Sequence, residues 1–179
     1  MKLMPELIAR LRGRPRTEPE GRRAPTRVTV GVTRADWPAA AERRLTWRLF
    51  NYWDRLRDNR PWPALADIDG AAVPDMWPWC FILEAESGFS TPYFHYLGRE
   101  LAQYSGIFLS GEDDWRLTLL DKAASHLDRT LTARAPVLIE DELVRFDGRE
   151  LLFRSIMLPL SGDGATISHV LGAANGLLR

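Results

Sequence analysis

The chain has 179 residues, 45% of them apolar, which suffices for one domain with an ordinary core plus extensions. Lys plus Arg and Asp plus Glu both number 24, so no global field draws the protein to nucleic acid. A single cysteine, Cys80, excludes an intramolecular disulfide framework. No Cys/His spacing resembles a structural zinc site, and no apolar run suits a spanning helix or a secretory signal, so a cytoplasmic protein is expected.

The charge is uneven along the chain. Met1 to Arg27 carries eight basic residues against Glu6, Glu18 and Glu20. Leu3, Leu7 and Leu11 have helical spacing, but Pro5, Gly13 and Pro15 interrupt it. Residues 1–25 therefore read as a disordered basic tail dispensable for folding, with membrane contact on anionic lipid as the other reading. Residues 26–60 read as a lead-in and a cap helix, and residues 61–179 as the main domain. Thr26 to Val32 alternates briefly, as a short strand or extended segment would. The spacing then predicts a helix over Asp36 to Asp58. Asp36 offers an N-cap, Pro38 suits a first turn, and Leu45, Leu49, Tyr52, Trp53 and Leu56 follow the 3.6-residue period, with Trp47 and Phe50 widening the stripe. A stripe of that breadth presents more apolar surface than one sheet face covers, so Leu45, Leu49, Phe50 and Trp53 are the expected interface of a homodimer.

Arg60 to Trp79 is rich in proline and tryptophan and reads as an ordered crossing segment. Trp62, Trp77 and Trp79 are packing anchors rather than a stacking platform for nucleic acid, because no basic groove accompanies them. Cys80 to Glu84 and Pro92 to Leu97 are strand-like and form a hairpin. A short polar helix follows Gly98, and a long helix is predicted over Asp114 to Arg134 with Leu120, Ala124, Leu127 and Leu131 as its buried stripe. From Pro136 to Ala174, three strand-length runs are separated by Asp147-Gly148 and Asp163-Gly164, the signature of an antiparallel meander. Strands split two and three around helices argue an α+β class.

Alternation assigns faces within the meander. Leu152, Arg154, Ile156, Leu158 and Leu160 share one side, and Phe153, Ser155, Met157 and Pro159 the other. The aliphatic side suits the cap helix. Phe153, Ser155, Met157, Ser168, Val170 and Gly172 should then face the remaining helices, with Tyr104, Leu120 and Leu127 across the space. Small groups at Ser155, Ser168 and Gly172 leave room for a modest small molecule with one polar end; the competing expectation is a packed core whose hydroxyls bond to backbone carbonyls. No catalytic residue is assigned, because nucleophile-elbow, Walker, dinucleotide and kinase motifs are all missing. His95 and His169 read as satisfied or half-exposed imidazoles. Glu112-Asp113-Asp114 and Glu140-Asp141-Glu142 read as solvated charge, so no metal ligands are assigned.

The segments YWDRLRDNRPWPALADIDGAAVP, PYFHYLGREL with YSGIFLSGED, and LLFRSIMLPLSGDGATISHVLGA resemble the small single-domain PAS proteins of alphaproteobacteria over about Trp47 to Ala174, with LPLSGDG and VLGA as the most specific piece. The resemblance implies a five-stranded antiparallel sheet in the order 2-1-5-4-3 and flanking helices around a small cavity. It also implies a sensory or regulatory role without chemistry of its own, a signalling-protein partner, and dimerisation through the helix before the fold. Flavin-binding members need a reactive cysteine in a helical Asn-Cys-Arg-Phe-Leu-Gln motif, whereas Cys80 opens an apolar strand. Haem-binding members use a helix histidine, for which His126 is a weak candidate against the reading of a rim histidine. Neither cofactor is expected. The second class considered is a cone-shaped α+β enzyme or ligand-binding protein resembling nuclear transport factor 2, with His95, His126 and Asp141 as its candidates.

Overall fold

The computed structural model of the chain describes residues 26–85, 94–105, 118–145 and 148–179, and of Glu42 only the backbone. The basic tail, the acidic run Glu112-Asp113-Asp114 and Asp147 lie outside the described residues. In chain order the elements are β1 (Arg27–Val30), α1 (Leu45–Arg57), β2 (Cys80–Glu84), β3 (Phe94–Leu97), α2 (Arg99–Ser105), α3 (Leu119–Ala124), α4 (Leu127–Ala133), β4 (Val137–Val144), β5 (Glu150–Leu160) and β6 (His169–Leu178). All five strand pairings are antiparallel, and the sheet order is β1-β4-β5-β6-β2-β3.

Among the described residues the sheet has six strands, one more than the five expected. The RVTV segment pairs from Arg27 opposite Glu140 to Val30 opposite Val137, and so occupies backbone groups that β4 would otherwise present as an open edge. The turn glycines of the meander take the left-handed conformation that the Asp-Gly signal requires, with φ of 81° at Gly148 and 70° at Gly164. In the second turn the Asp163 carboxylate accepts from the Ala165 and Thr166 amides and the Ser161 hydroxyl, which holds its pKa well below the usual carboxylate range.

The cap helix is shorter than its sequence suggests. It starts at Leu45, and 3-10 turns over Arg34–Asp36 and Ala39–Arg43 precede it, separated from it by an extended Arg44 with ψ 134°. Asp36 does not cap α1. Its carboxylate instead accepts from the Thr33 amide (2.7 Å) and hydroxyl (2.8 Å), closing a local box. The reason is tertiary: Trp37 packs at a tilt against Trp47 (5.1 Å) and Phe50 (5.9 Å), and this contact outweighs the intrinsic helix preference of Ala39 to Ala41.

The predicted long helix is also two. Thr118 and Asp121 form a capping box at the start of α3, through Thr118 N to Asp121 Oδ2 (2.7 Å) and Asp121 N to Thr118 Oγ1 (3.1 Å). The helix then breaks at Ser125 and His126, where the Ser125 hydroxyl donates to the Lys122 carbonyl (2.8 Å) and His126 adopts φ −103° and ψ 17°. The break turns both short helices so that Leu120, Ala123 and Leu127, Thr130 are all buried.

Two layers cover the sheet. Thr130 Oγ1 meets Met157 Sδ (3.5 Å), Lys122 Nζ pairs with Asp141 Oδ2 (3.4 Å), and Tyr104 donates to the Gly176 carbonyl (3.4 Å), so α2, α3 and α4 lie on the face of Phe153, Ser155 and Met157. On the opposite face, Ile156, Leu158, Leu160, Leu171 and Ala173 are fully buried, with α1 lying along β5 and β6 and the crossing segment anchoring Cys80. Pro159 fits this arrangement. Strand β4 ends with Val137 opposite Met157, so the missing Pro159 amide costs no ladder bond and its carbonyl accepts from Trp53 Nε1 (2.8 Å). No helix among the described residues is long and apolar enough to cross a membrane.

Candidate functional site

The layer between the sheet and α2–α4 is built by cross-strand rows. Ile139, Ser155 and Ala174 form one row, and Val137, Met157, Gly172 and Phe81 the next. Phe153, Ser155, Met157, Val170 and Gly172 all lie on this side and are buried, and Leu120 and Leu127 are buried in the helices. Ser168 does not join them. It precedes β6 at the mouth of the hairpin, where its amide donates to Leu160 and its hydroxyl meets His169 Nδ1 (3.0 Å). Tyr104 is half-buried at the Gly176 end, edge-on to Trp79 and beneath the Arg145 guanidinium.

The room expected at Gly172 is occupied. A Cβ built there would fall on the Phe81 ring, and Phe81 is itself fully buried, so an aromatic side chain covers its cross-strand glycine. The hydroxyls do not follow the packed alternative either. Ser155 Oγ, and Ser105 Oγ on α2, are buried without a hydrogen-bond partner. Desolvating a hydroxyl without compensation costs about 1–3 kcal/mol, so two such groups need a physical reason.

The dimer-interface candidates lie inside the chain rather than on its surface. Leu45, Leu49, Phe50 and Trp53 are 8%, 0%, 3% and 3% exposed, so their apolar area is already buried within the chain itself. The stripe is broad because α1 is held from two sides, by the sheet and by Trp37. The outward face of α1 is polar: Asp54 sits between Arg34 (2.8 Å) and Arg57 (2.7 Å), whose hydrogen bonds outweigh partial burial and lower its pKa.

His126 lies at the α3–α4 junction rather than inside the apolar stripe. It lines an open groove with Ser125, Asp128, Arg129, Thr132 and Ala133. Burial first, then the Arg129 charge, lowers its pKa and favours the neutral ring.

Cys80 is fully buried, donates to the Met76 carbonyl (3.3 Å), and burial pushes its thiol up to about 12 from 9.0. Below pH 9 the thiol is protonated folded or unfolded, and the contribution is fully present. Between about 9 and 12 only the unfolded thiol ionises, so stability falls by about 1.4 kcal/mol per pH unit. Denaturant titrations of wild type and Cys80→Ala across this range should diverge by that slope, and parallel curves would refute it.

The structure brings together three side chains that the sequence keeps apart. Glu84 stands opposite His169 in the β2–β6 ladder, and His95 Nδ1 lies 3.3 Å from Glu84 Oε1. The two imidazoles meet edge to face, with centroids 5.4 Å apart. Asp141 is on the other face, paired with Lys122 and with its charge felt by His126, so of His95, His126 and Asp141 it is His95 that stands apart.

A family model described as PAS domain matches residues 41–175. A comparison with curated proteins found no match.

Proposed function

The chain belongs to the PAS domain family, and from that premise we propose a non-catalytic sensory or regulatory unit of the small single-domain subtype, working in the cytoplasm, whose input is a small molecule held in the layer between the sheet and α2–α4. The observation that carries the ligand reading is the buried, unpartnered Ser155 hydroxyl on the sheet face under α2–α4, together with the buried, unpartnered Ser105 hydroxyl on α2. A ligand with one polar end would satisfy them, and the short, broken helices α3 and α4 are elements that can repack around it. The pairing of β2 with both β3 and β6 supports this reading over the cone-shaped alternative.

Native mass spectrometry of the full chain, with an absorbance spectrum, tests the proposal. Wild type should carry a non-covalent small molecule, and Ser155→Ala should lose it or bind it about tenfold more weakly. The same spectra read association with a second copy, which we include in the proposal through surfaces other than the buried α1 stripe. A bare mass for wild type, together with a Ser155→Ala variant that is merely more stable, would overturn the ligand reading.

A further inference from the structure

We propose that Glu84, His95 and His169 form a binding site for a divalent transition-metal ion, with Zn2+ the best-suited occupant, on the sheet face opposite α2–α4. One donor atom from each of the three lies within 4.8 Å of the others. Two imidazole nitrogens and one carboxylate oxygen are the donor set that borderline ions prefer, and a tetrahedral ion with ligands at about 2.0–2.1 Å needs donors roughly 3.3 Å apart. The His95 to Glu84 distance is already 3.3 Å, and the His169 donor lies within 4.8 Å of both.

The placement depends on local irregularity in the backbone. Ile82 pairs with Tyr96 but Leu83 pairs with Phe94, so β3 carries a bulge at His95. Strict alternation would send His95 to the face opposite Tyr96; the bulge instead sets it on the side of Glu84. The Ser168 hydroxyl lies 3.0 Å from His169 Nδ1, a contact of the kind that outer partners make to metal-ligating histidines. The charge balance points the same way. The Glu84 side chain is 17% exposed, yet among the described residues its ion partner is His95, not an arginine or lysine. A cation between the two rings would neutralise that carboxylate. Three protein donors leave a further position for water or for a donor from a partner, the pattern of an open rather than a closed site.

The site is independent of the sheet–helix layer and is tested separately, with the tag-free full chain stripped by a chelator and titrated calorimetrically with Zn2+, and with Mg2+ as the hard-ion control. Wild type should bind one equivalent of Zn2+ per chain and no Mg2+ at comparable concentration, and Co2+ should give the visible absorption of a low-symmetry site. His95→Ala and Glu84→Gln should each weaken Zn2+ at least tenfold. His95 is exposed and Glu84→Gln is close to isosteric, so both variants should keep the wild-type circular dichroism, whatever His169→Ala does to the hairpin. Zn2+ affinity unchanged in His95→Ala and Glu84→Gln, or Mg2+ bound as tightly as Zn2+, would overturn the proposal.

Discussion

Replacing Trp53 with alanine should cost about 3–5 kcal/mol of stability, enough to put a domain of ordinary stability near its unfolding threshold. The indole is 3% exposed between α1 and the sheet, so its removal leaves a cavity. Its Nε1 is also the donor to the Pro159 carbonyl at 2.8 Å, in a strand position where β4 has already ended and no ladder partner replaces it. Trp53→Phe separates the two contributions, keeping most of the packing and losing the hydrogen bond, with an expected cost of about 1–3 kcal/mol. Equilibrium urea unfolding with an unchanged m-value measures both. A Trp53→Ala midpoint within experimental error of wild type would mean that α1 does not hold the sheet.

The second large effect is expected at Gly172. A leucine there meets the ring of Phe81, which has no exposed surface into which to retreat, so overpacking should cost on the order of 3 kcal/mol, the upper end for such insertions. The pairing predicts coupling: with Phe81→Ala in the background, Gly172→Leu should cost markedly less, because the added side chain then fills the volume that the ring left. A double-mutant cycle on unfolding free energies reads this directly. Additive costs would show that the two residues do not share that space. A stable Gly172→Leu that loses a bound ligand would show that the space was hollow.

Much of this architecture is legible in the residues themselves. Asp147-Gly148 and Asp163-Gly164 announce the meander, because few sequences other than Asn-Gly or Asp-Gly tolerate positive φ so readily, and the alternation in β5 separates Ile156, Leu158 and Leu160 from Phe153, Ser155 and Met157. Local rules fail where a distant contact decides. The Ala39 to Ala41 run has every reason to be helical until Trp37 is seen to pack on Trp47, and the breadth of the α1 stripe suggests a second copy until the chain itself is seen to bury it. Gly172 suggests space, since a sequence does not show that Phe81 lies across from it. The Glu84, His95 and His169 cluster could not have been found by spacing. It needs β2 to lie between β6 and β3, and one bulge to turn His95 around.

The sheet order also sets when these surfaces can be hidden. Strand β6 is the last of the six in the chain, yet it separates β5 from β2, so β2–β3 and β1–β4–β5 remain two unjoined pieces until it is in place. Helix α1 rests on β5 and β6, and the partner of Trp53 lies 106 residues further along the chain. At a synthesis rate of roughly 5–20 residues per second, about 5–20 s pass between the appearance of that indole and of the carbonyl that receives it. Throughout that interval Leu49, Phe50 and Trp53 have no floor to settle on, so the apolar stripe of α1 is the last large surface of the nascent chain to be covered.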